Sequence, residues 1–176
     1  MSCCANNANA YYKFTGAAVG TAFGGTQGQV TFYLRSRNSF AQRSTASAYR
    51  TAFDVRDINI SNHLYFFTSQ AVNGRLVFSY TVGGNGQVQN YYAPSGTEDT
   101  LFGSGVTLKV AIVWNNGTSQ LFFNDVMVQS GSYSPQSPTW GATSNFDLGA
   151  TEFLNFGGFD SSDDVISNFT VGPIVN

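Results

Sequence analysis

The chain has 176 residues, a formal net charge of −2 and only 10% charged residues, whereas average soluble proteins contain about 25%. This length suits one domain with a sizeable core. The eight basic residues form no run, which argues against nucleic acid or anionic lipid as a partner. No apolar stretch approaches the ~20 residues of a membrane span. The abundant Gly, Asn, Ser and Thr, with 15% aromatic residues, indicate a β-rich protein with an uncharged polar surface.

The first segment, MSCCANNANAYY, contains both cysteines, Cys3 and Cys4. Neighbouring Cα atoms lie about 3.8 Å apart, whereas disulfides prefer roughly 4.4 to 6.8 Å, so an unstrained disulfide needs a second chain. We predict that residues 1–10 form a tail whose thiols are unpaired, crosslink subunits, or carry a lipid or metal. The start lacks the charged and apolar regions of a signal peptide, so the chain is either non-secreted or a mature or excised segment with an added Met1.

The segments after the tail alternate β-branched and aromatic runs with Gly, Asn and Ser clusters, which is typical of an all-β protein. QVTFYLRS places Val30, Phe32 and Leu34 on one face, and RLVFSYTV shows a similar alternation. Each of these two segments is predicted to be a strand with one buried face. NSFAQRSTASAYR, which lies between them, is predicted to be a loop with a short helical turn before the strand TAFDV.

The clearest segment is LKVAIVWNNGTSQLFFNDVMVQSG, in which two strands flank Asn116-Gly117. An Asn-Gly pair tolerates the positive φ of a tight hairpin. A second turn is predicted at Asn124-Asp125, which gives a meander of three antiparallel strands. Trp114 shares a face with apolar neighbours, so we assign it to the core. The recurring turn signals match the strand spacing of a sandwich.

The order of these segments resembles the laminin-G-like (LamG) branch of the concanavalin A-like lectin/glucanase superfamily. The resemblance rests on LKVAIVWNNGTSQLFFNDVMV, NFDLGA and GGFDSSDDVISNFTV, and it covers most of residues 11–172. It implies a two-sheet antiparallel jelly-roll sandwich over residues 11–176. It also implies recognition of an oligosaccharide or glycoprotein, often with calcium. The sequence departs from the family pattern at Asp125, where Gly is usual, and at Ser167 and Asn168, where acidic residues are common.

Catalytic residues are not arranged as in the glucanases that share this fold. Those enzymes carry E-x-D-x-E on one strand, so that alternate carboxylates reach one cleft. This chain has only two glutamates, Glu98 and Glu152, and neither lies in such a pattern. His63 is the sole histidine, and we assign it to a strand edge. We therefore predict that the protein is not an enzyme.

Calcium prefers several oxygen ligands, which the acidic turn FDSSDD can supply. Its carboxylates belong to Asp160, Asp163 and Asp164, and we predict them as the metal ligands. The alternative is that they are solvated turn carboxylates. Further ligands from elsewhere in the chain are Asp54, Asp57, Glu98 and Asp99.

Aromatic residues beside loop-forming sequence are the candidates for sugar binding. Sugar C–H faces pack on aromatic rings, while amide and charged side chains hydrogen-bond the hydroxyls. The candidates are Tyr91 and Tyr92 in QNYYAPSG, Trp140 in SPTWGATSN, and Tyr49 with Arg50. They support the hypothesis of a non-catalytic, lectin-like glycan-binding module that is extracellular or surface-exposed.

The alternative hypothesis is a self-assembling structural subunit of an extracellular filament, coat or virion surface. An exposed sheet edge can accept a strand from a neighbouring subunit. The placement of SCC before a jelly roll is similar to the connector of bacterial spore-appendage subunits. On this hypothesis Cys3 and Cys4 form intermolecular disulfides and the chain is a homo-oligomer.

Overall fold

A computed structural model describes residues 2–4, 12–24, 26–43, 50–56, 63–69, 77–81, 88–132, 145–151, 160–161 and 164–175. Within these ranges the chain forms fourteen β-strands and three short helices. No helix among the described residues is both long and apolar enough to cross a membrane.

The described strands form two six-stranded antiparallel sheets and one small two-stranded sheet. The first sheet, in spatial order, contains β1 (Ser2–Cys4), β14 (Val165–Gly172), β3 (Gln27–Arg35), β8 (Thr107–Asn115), β9 (Thr118–Phe123) and β10 (Val126–Ser132). The second sheet, in spatial order, contains β2 (Tyr12–Thr15), β11 (Asn145–Leu148), β4 (Arg50–Arg56), β5 (His63–Ser69), β6 (Val77–Thr81) and β7 (Val88–Tyr92). The two-stranded sheet pairs β12 (Ala150–Thr151) with β13 (Asp160–Ser161). The predicted all-β antiparallel sandwich is confirmed.

The strands follow the alternation that the sequence shows. In β3, the side chains of Val30, Phe32 and Leu34 are buried and the residues between them are half-buried. The predicted hairpin between β8 and β9 turns at Asn116 and Gly117, with φ values of 44° and 93°. The next turn, at Asn124 and Asp125, also has positive φ at both residues. Asn, Asp and Gly adopt this left-handed conformation most readily, so turn chemistry fixes the register of the meander.

A cluster of phenylalanines joins the two sheets. The ring of Phe32 in the first sheet contacts Phe53 and Phe66 of the second sheet, with centroid distances of 5.6 and 5.4 Å and edge-on geometry. Phe169 adds an edge-on contact to Phe53 at 5.3 Å. Phe32, Phe53 and Phe66 are all completely buried, and edge-to-face aromatic pairs stabilise beyond the area that they bury. This cluster is the centre of the sandwich.

The two sides of the sandwich close differently. On one side β10 approaches β7, where a Cβ on Gly131 would overlap the amide of Gln89. On the other side helix α1 (Ala17–Phe23) packs against β14 and β2, and Val19 and Phe23 enter the core. The sequence did not indicate α1 because seven residues show too few turns to reveal a helical period.

Two further short helices lie in the loops. Helix α2 (Phe40–Arg43) matches the helical turn predicted within NSFAQRSTASAYR, whereas helix α3 (Glu98–Phe102) was not predicted. The side-chain carboxylate of Asp99 accepts a hydrogen bond from the backbone N–H of Phe40 at 2.7 Å. The two helices are therefore tied together by one of the carboxylates that the sequence offered as a calcium ligand.

The segment predicted as a tail contains a strand. Ser2, Cys3 and Cys4 pair antiparallel with Ser167, Ile166 and Val165. Backbone pairing to β14 therefore holds these three residues at the edge of the first sheet.

Gly28 offers a direct test of core packing, because a Cβ there would lie 2.3 Å from the indole of Trp114. Trp114 is buried, as predicted, so its ring has little room to move. We expect Gly28→Ala to lower the free energy of unfolding by about 1–3 kcal/mol, the usual cost of overpacking. Urea denaturation followed by circular dichroism measures this change.

The matched control is Gly172→Ala in the same sheet, where a new Cβ would meet nothing within 4 Å. This substitution is expected to change the free energy of unfolding by less than about 0.5 kcal/mol. Equal losses in the two variants would contradict the packing of Trp114 over Gly28.

Candidate functional site

The outer face of the second sheet brings together charged and aromatic side chains from three neighbouring strands. In β5, Leu64 and Phe66 point into the core, so His63, Tyr65 and Phe67 lie on the opposite face. Strand register places His63 beside Arg56, and Tyr65 beside Asp54. Asp54 in turn pairs with Asp147 of β11.

Four of these side chains form a buried ionic cluster. His63 Nε2 lies 2.6 Å from Asp54 Oδ1, and Arg56 Nη1 donates a hydrogen bond to Asp54 Oδ2. The second guanidinium nitrogen, Nη2, lies 3.3 Å from Asp147 Oδ2. All four residues are at least nine-tenths buried. Burying a charge is costly unless it is paired, so the cluster depends on Arg56 as the bridge between the two carboxylates.

The cluster has a structural role in this geometry. Asp54 was a candidate calcium ligand, but both of its carboxylate oxygens already contact Arg56 or His63. His63, which we assigned to a strand edge, is the first residue of β5, and its imidazole is held in this network. The His63–Asp54 pair resembles part of an acid-base dyad, but its burial keeps it from solvent. The cluster therefore joins β11, β4 and β5 on their outer face.

An aromatic row continues along β5 from this cluster. The rings of His63 and Tyr65 have centroids 4.4 Å apart, and those of Tyr65 and Phe67 stack at 5.3 Å. These rings are buried. At the edge of the sheet, the register of β5, β6 and β7 places Asn90 and Tyr92 on this same outer face. Tyr92 is 44% exposed, and among the described residues of this face it is the exposed aromatic.

Tyr91 and Tyr92 point to opposite sides of β7. The ring of Tyr91 packs edge-on against Phe123 in the core at 5.2 Å, and burial raises the pKa of its hydroxyl. Arg50 is half-buried and begins β4, where it pairs with Thr68 on the inner side. Tyr49 and Trp140 lie outside the described residues. Of the three ligand-binding candidates that the structure describes, Arg50, Tyr91 and Tyr92, the most exposed is therefore Tyr92.

The predicted calcium ligands are only partly described. Asp160 lies in β13, where its backbone pairs with Thr151, and Asp163 lies outside the described residues. Asp164 is 1% exposed. Among the described side chains there is no group of three His, Cys, Asp or Glu that could hold a metal ion. Calcium binding at Asp160, Asp163 and Asp164 therefore stays a prediction.

The additional carboxylates proposed for calcium are engaged elsewhere or not described. Glu98 is buried and accepts a hydrogen bond from the backbone N–H of Gly96 at 2.6 Å. Asp99 ties α3 to α2, as described above. Asp57 lies outside the described residues. Glu98 and Asp99 thus stabilise their own loop and helix.

No protein-family model matches the sequence, and no curated protein matches it significantly. Solved structures do match. Mouse laminin α1 domains LG4-5 have a TM-score of 0.65 and 15% identity, with coverage of 97% of this chain and 41% of that one. The binding domain of botulinum neurotoxin DC in complex with SialylT has a TM-score of 0.60 and 11% identity, over 99% and 39%. The enzymatically active domain of bacteriophage CBA120 tailspike protein 2 has a TM-score of 0.62 and 17% identity, over 95% and 24%.

These matches establish the fold. The chain shares the two-sheet antiparallel jelly-roll fold of these structures, which include the laminin LG domains that the sequence resembles. It spans less than half the length of each of these three proteins.

Removing the bridge of the ionic cluster tests its structural role. Arg56→Met leaves Asp54 and Asp147 buried without the guanidinium between them. We expect the free energy of unfolding to fall by roughly 3–5 kcal/mol, as when one partner of a buried pair is removed. Urea denaturation at neutral pH gives the value.

Lys109→Met is the matched control, because it removes the exposed contact between Lys109 Nζ and Asp125 Oδ1 at 2.6 Å. This hydrogen bond raises the pKa of Lys109. The contribution of the pair is therefore present below the ordinary lysine pKa and is lost as pH rises through the raised value. Exposed pairs contribute little, so we expect almost no change at neutral pH. Comparable losses in the two variants would contradict a special role for Arg56.

Proposed function

We propose that this protein is a non-catalytic glycan-binding module that acts outside the cell or on a surface. Its site is the β7 edge of the second sheet's outer face. The observation that carries the proposal is the placement of Tyr92. Tyr92 is 44% exposed and lies on the same face as Asn90 and the aromatic row of β5.

The chemistry of this edge suits a neutral oligosaccharide. An exposed tyrosine ring offers an apolar surface to the C–H face of a sugar, while the Asn90 amide both donates and accepts hydrogen bonds to hydroxyls. The ionic cluster on β11, β4 and β5 holds the neighbouring strands in register. The charged side chains of the cluster pair with one another, so on this proposal the uncharged side chains of Tyr92 and Asn90 contact the sugar.

The comparisons support a binding role in a coarse way. The matched laminin structure is a pair of LG domains, and the matched neurotoxin domain is a binding domain in complex with SialylT. The tailspike match is an enzymatically active domain, so the fold alone does not decide between binding and catalysis. The sequence favours binding, because its two glutamates lie outside the E-x-D-x-E pattern by which some relatives on this fold hydrolyse glucans.

Tyr92→Ala tests the site. We expect the wild-type protein to bind at least one oligosaccharide on a broad glycan array, and we expect the variant to lose at least tenfold in affinity for it by calorimetry. The loss follows from removal of the stacking surface. Repeating the titration with EDTA tests the predicted calcium requirement.

The control is Tyr91→Phe, the adjacent residue on the opposite face. It keeps the ring against Phe123 and removes only the hydroxyl, so affinity should stay within about twofold of wild type. An array on which the wild type binds nothing would overturn the proposal, as would equal affinity in Tyr92→Ala and wild type.

A second candidate function, assembly into a homo-oligomer, rests on β1. This strand contains both cysteines and pairs at the edge of the first sheet through three residues. So short an edge strand can leave its own β14 and pair with β14 of another copy. Adjacent thiols on such a strand then lie at the junction between copies.

The double substitution Cys3→Ser and Cys4→Ser tests the covalent part of this assembly. Under oxidising conditions the wild type should migrate as a dimer or ladder on non-reducing electrophoresis and as a monomer after reduction. The variant should migrate as a monomer in both. A wild type that stays monomeric on non-reducing gels would contradict the covalent crosslink, and ladders that persist in the variant would show that Cys3 and Cys4 do not form it.

A further inference from the structure

The outer face of the first sheet has a groove of its own. Strand register places its side chains in two rows across the sheet. One row runs Gly172, Gln29, Val113, Gln120, and the other runs Thr170, Thr31, Ala111, Phe122. These residues face away from the core because they alternate with Val30, Phe32, Val110, Ile112 and Leu121, which are buried.

The groove follows from the sizes of these side chains. The central strand, β8, contributes the small residues Ala111 and Val113, whereas the flanking strands contribute the longer Gln29, Gln120 and Phe122. Ile174 and Val175 line it from the segment after β14. The resulting cavity has a volume of about 320 Å³.

A second cavity of about 200 Å³ adjoins the first, and the two share Gln29 and Val175. Thr31, Thr170 and Gly172 line this extension, and the space beside Gly172 is open. From β14 to β9 the groove crosses three inter-strand spacings, or roughly 14 Å. That length accommodates two to three sugar rings.

The polar groups of the groove are positioned to bind hydroxyls. Gln29 Nε2 donates to Thr31 Oγ1 at 2.9 Å, which fixes the amide and leaves its second N–H for a ligand. Gln120 Nε2 donates to Met127 Sδ at 3.4 Å. Sulfur is a weak acceptor, so a sugar hydroxyl can replace it. At the end of the groove, Asp125 Oδ1 accepts a hydrogen bond from Lys109 Nζ. The second carboxylate oxygen of Asp125 can accept a hydrogen bond from a sugar hydroxyl.

From this arrangement we infer that the groove binds a neutral oligosaccharide of two to three units. Ala111, Val113 and the ring of Phe122 form an apolar floor, and two amides, two hydroxyls and one carboxylate form the polar wall. This combination of apolar surface and convergent hydrogen-bonding groups is typical of small-molecule sites. The groove lies on the opposite sheet from Tyr92, so its occupancy is independent of the site proposed above.

The test is a titration of the ¹⁵N-labelled full chain, followed by NMR, with chitohexaose, cellohexaose, laminarihexaose and maltohexaose in turn. We expect at least one of them to shift the backbone amides of Gln29, Ala111, Val113 and Gln120. Ala111→Trp fills the floor from the solvent side and should weaken this binding at least tenfold. The combined Gln29→Ala and Gln120→Ala variant removes the amides without adding bulk and should give a similar loss.

The control is Thr107→Trp, which adds the same ring to the same face of β8 four residues away, outside the groove. It should bind as the wild type does. Absence of shifts in the groove with all four sugars would overturn the inference, as would shifts that persist unchanged in Ala111→Trp. Loss of binding in Tyr92→Ala but not in Ala111→Trp would overturn the groove and leave the proposed function standing. Loss of binding in Ala111→Trp but not in Tyr92→Ala would overturn the Tyr92 site and leave the groove standing.

Discussion

The contact between Phe32 and the pair Phe53 and Phe66 is the interaction on which the rest of the structure depends. It joins the two sheets through completely buried rings in edge-on geometry. Once these rings face inward, the two-residue period of a strand assigns every neighbouring side chain to the inner or the outer face. A register slip of one residue would turn the polar groups of both outer faces towards the phenylalanine core. The core therefore determines which residues are free to act.

The two outer faces use this freedom differently. On the second sheet, Arg56 neutralises two carboxylates and His63 completes a buried cluster. The charged side chains of this face therefore pair with one another and hold β11, β4 and β5 together. Tyr92 at the edge remains exposed for recognition. On the first sheet the rows are uncharged, and small residues on β8 leave a groove between amide side chains. Both faces accord with a chain in which only 10% of residues are charged, and on our proposals both bind neutral, hydroxyl-rich ligands.

The sequence predicted the parts of this account that depend on local pattern. β3 was recognisable because Val30, Phe32 and Leu34 alternate with polar residues. β8 and β9 were recognisable because they flank Asn116-Gly117, a pair that tolerates the positive φ of a tight hairpin. The ionic cluster was not predicted, because it depends on the register between Asp54, His63 and Asp147, which are distant in sequence. Tyr91 and Tyr92 looked equivalent until their faces were known. Whether calcium binds at FDSSDD stays a prediction, because Asp163 lies outside the described residues.

The most direct test of the central claim is a crystal structure of the protein with the oligosaccharide that binds most strongly on a glycan array. The account predicts an intact, unhydrolysed sugar with one ring packed on Tyr92 and hydroxyls within hydrogen-bond distance of Asn90. Such a structure would also show whether the groove over Ala111 is occupied. A cleaved sugar would contradict the non-catalytic assignment. A structure in which sugar is bound elsewhere but the outer face of the second sheet around Tyr92 stays empty would contradict the site.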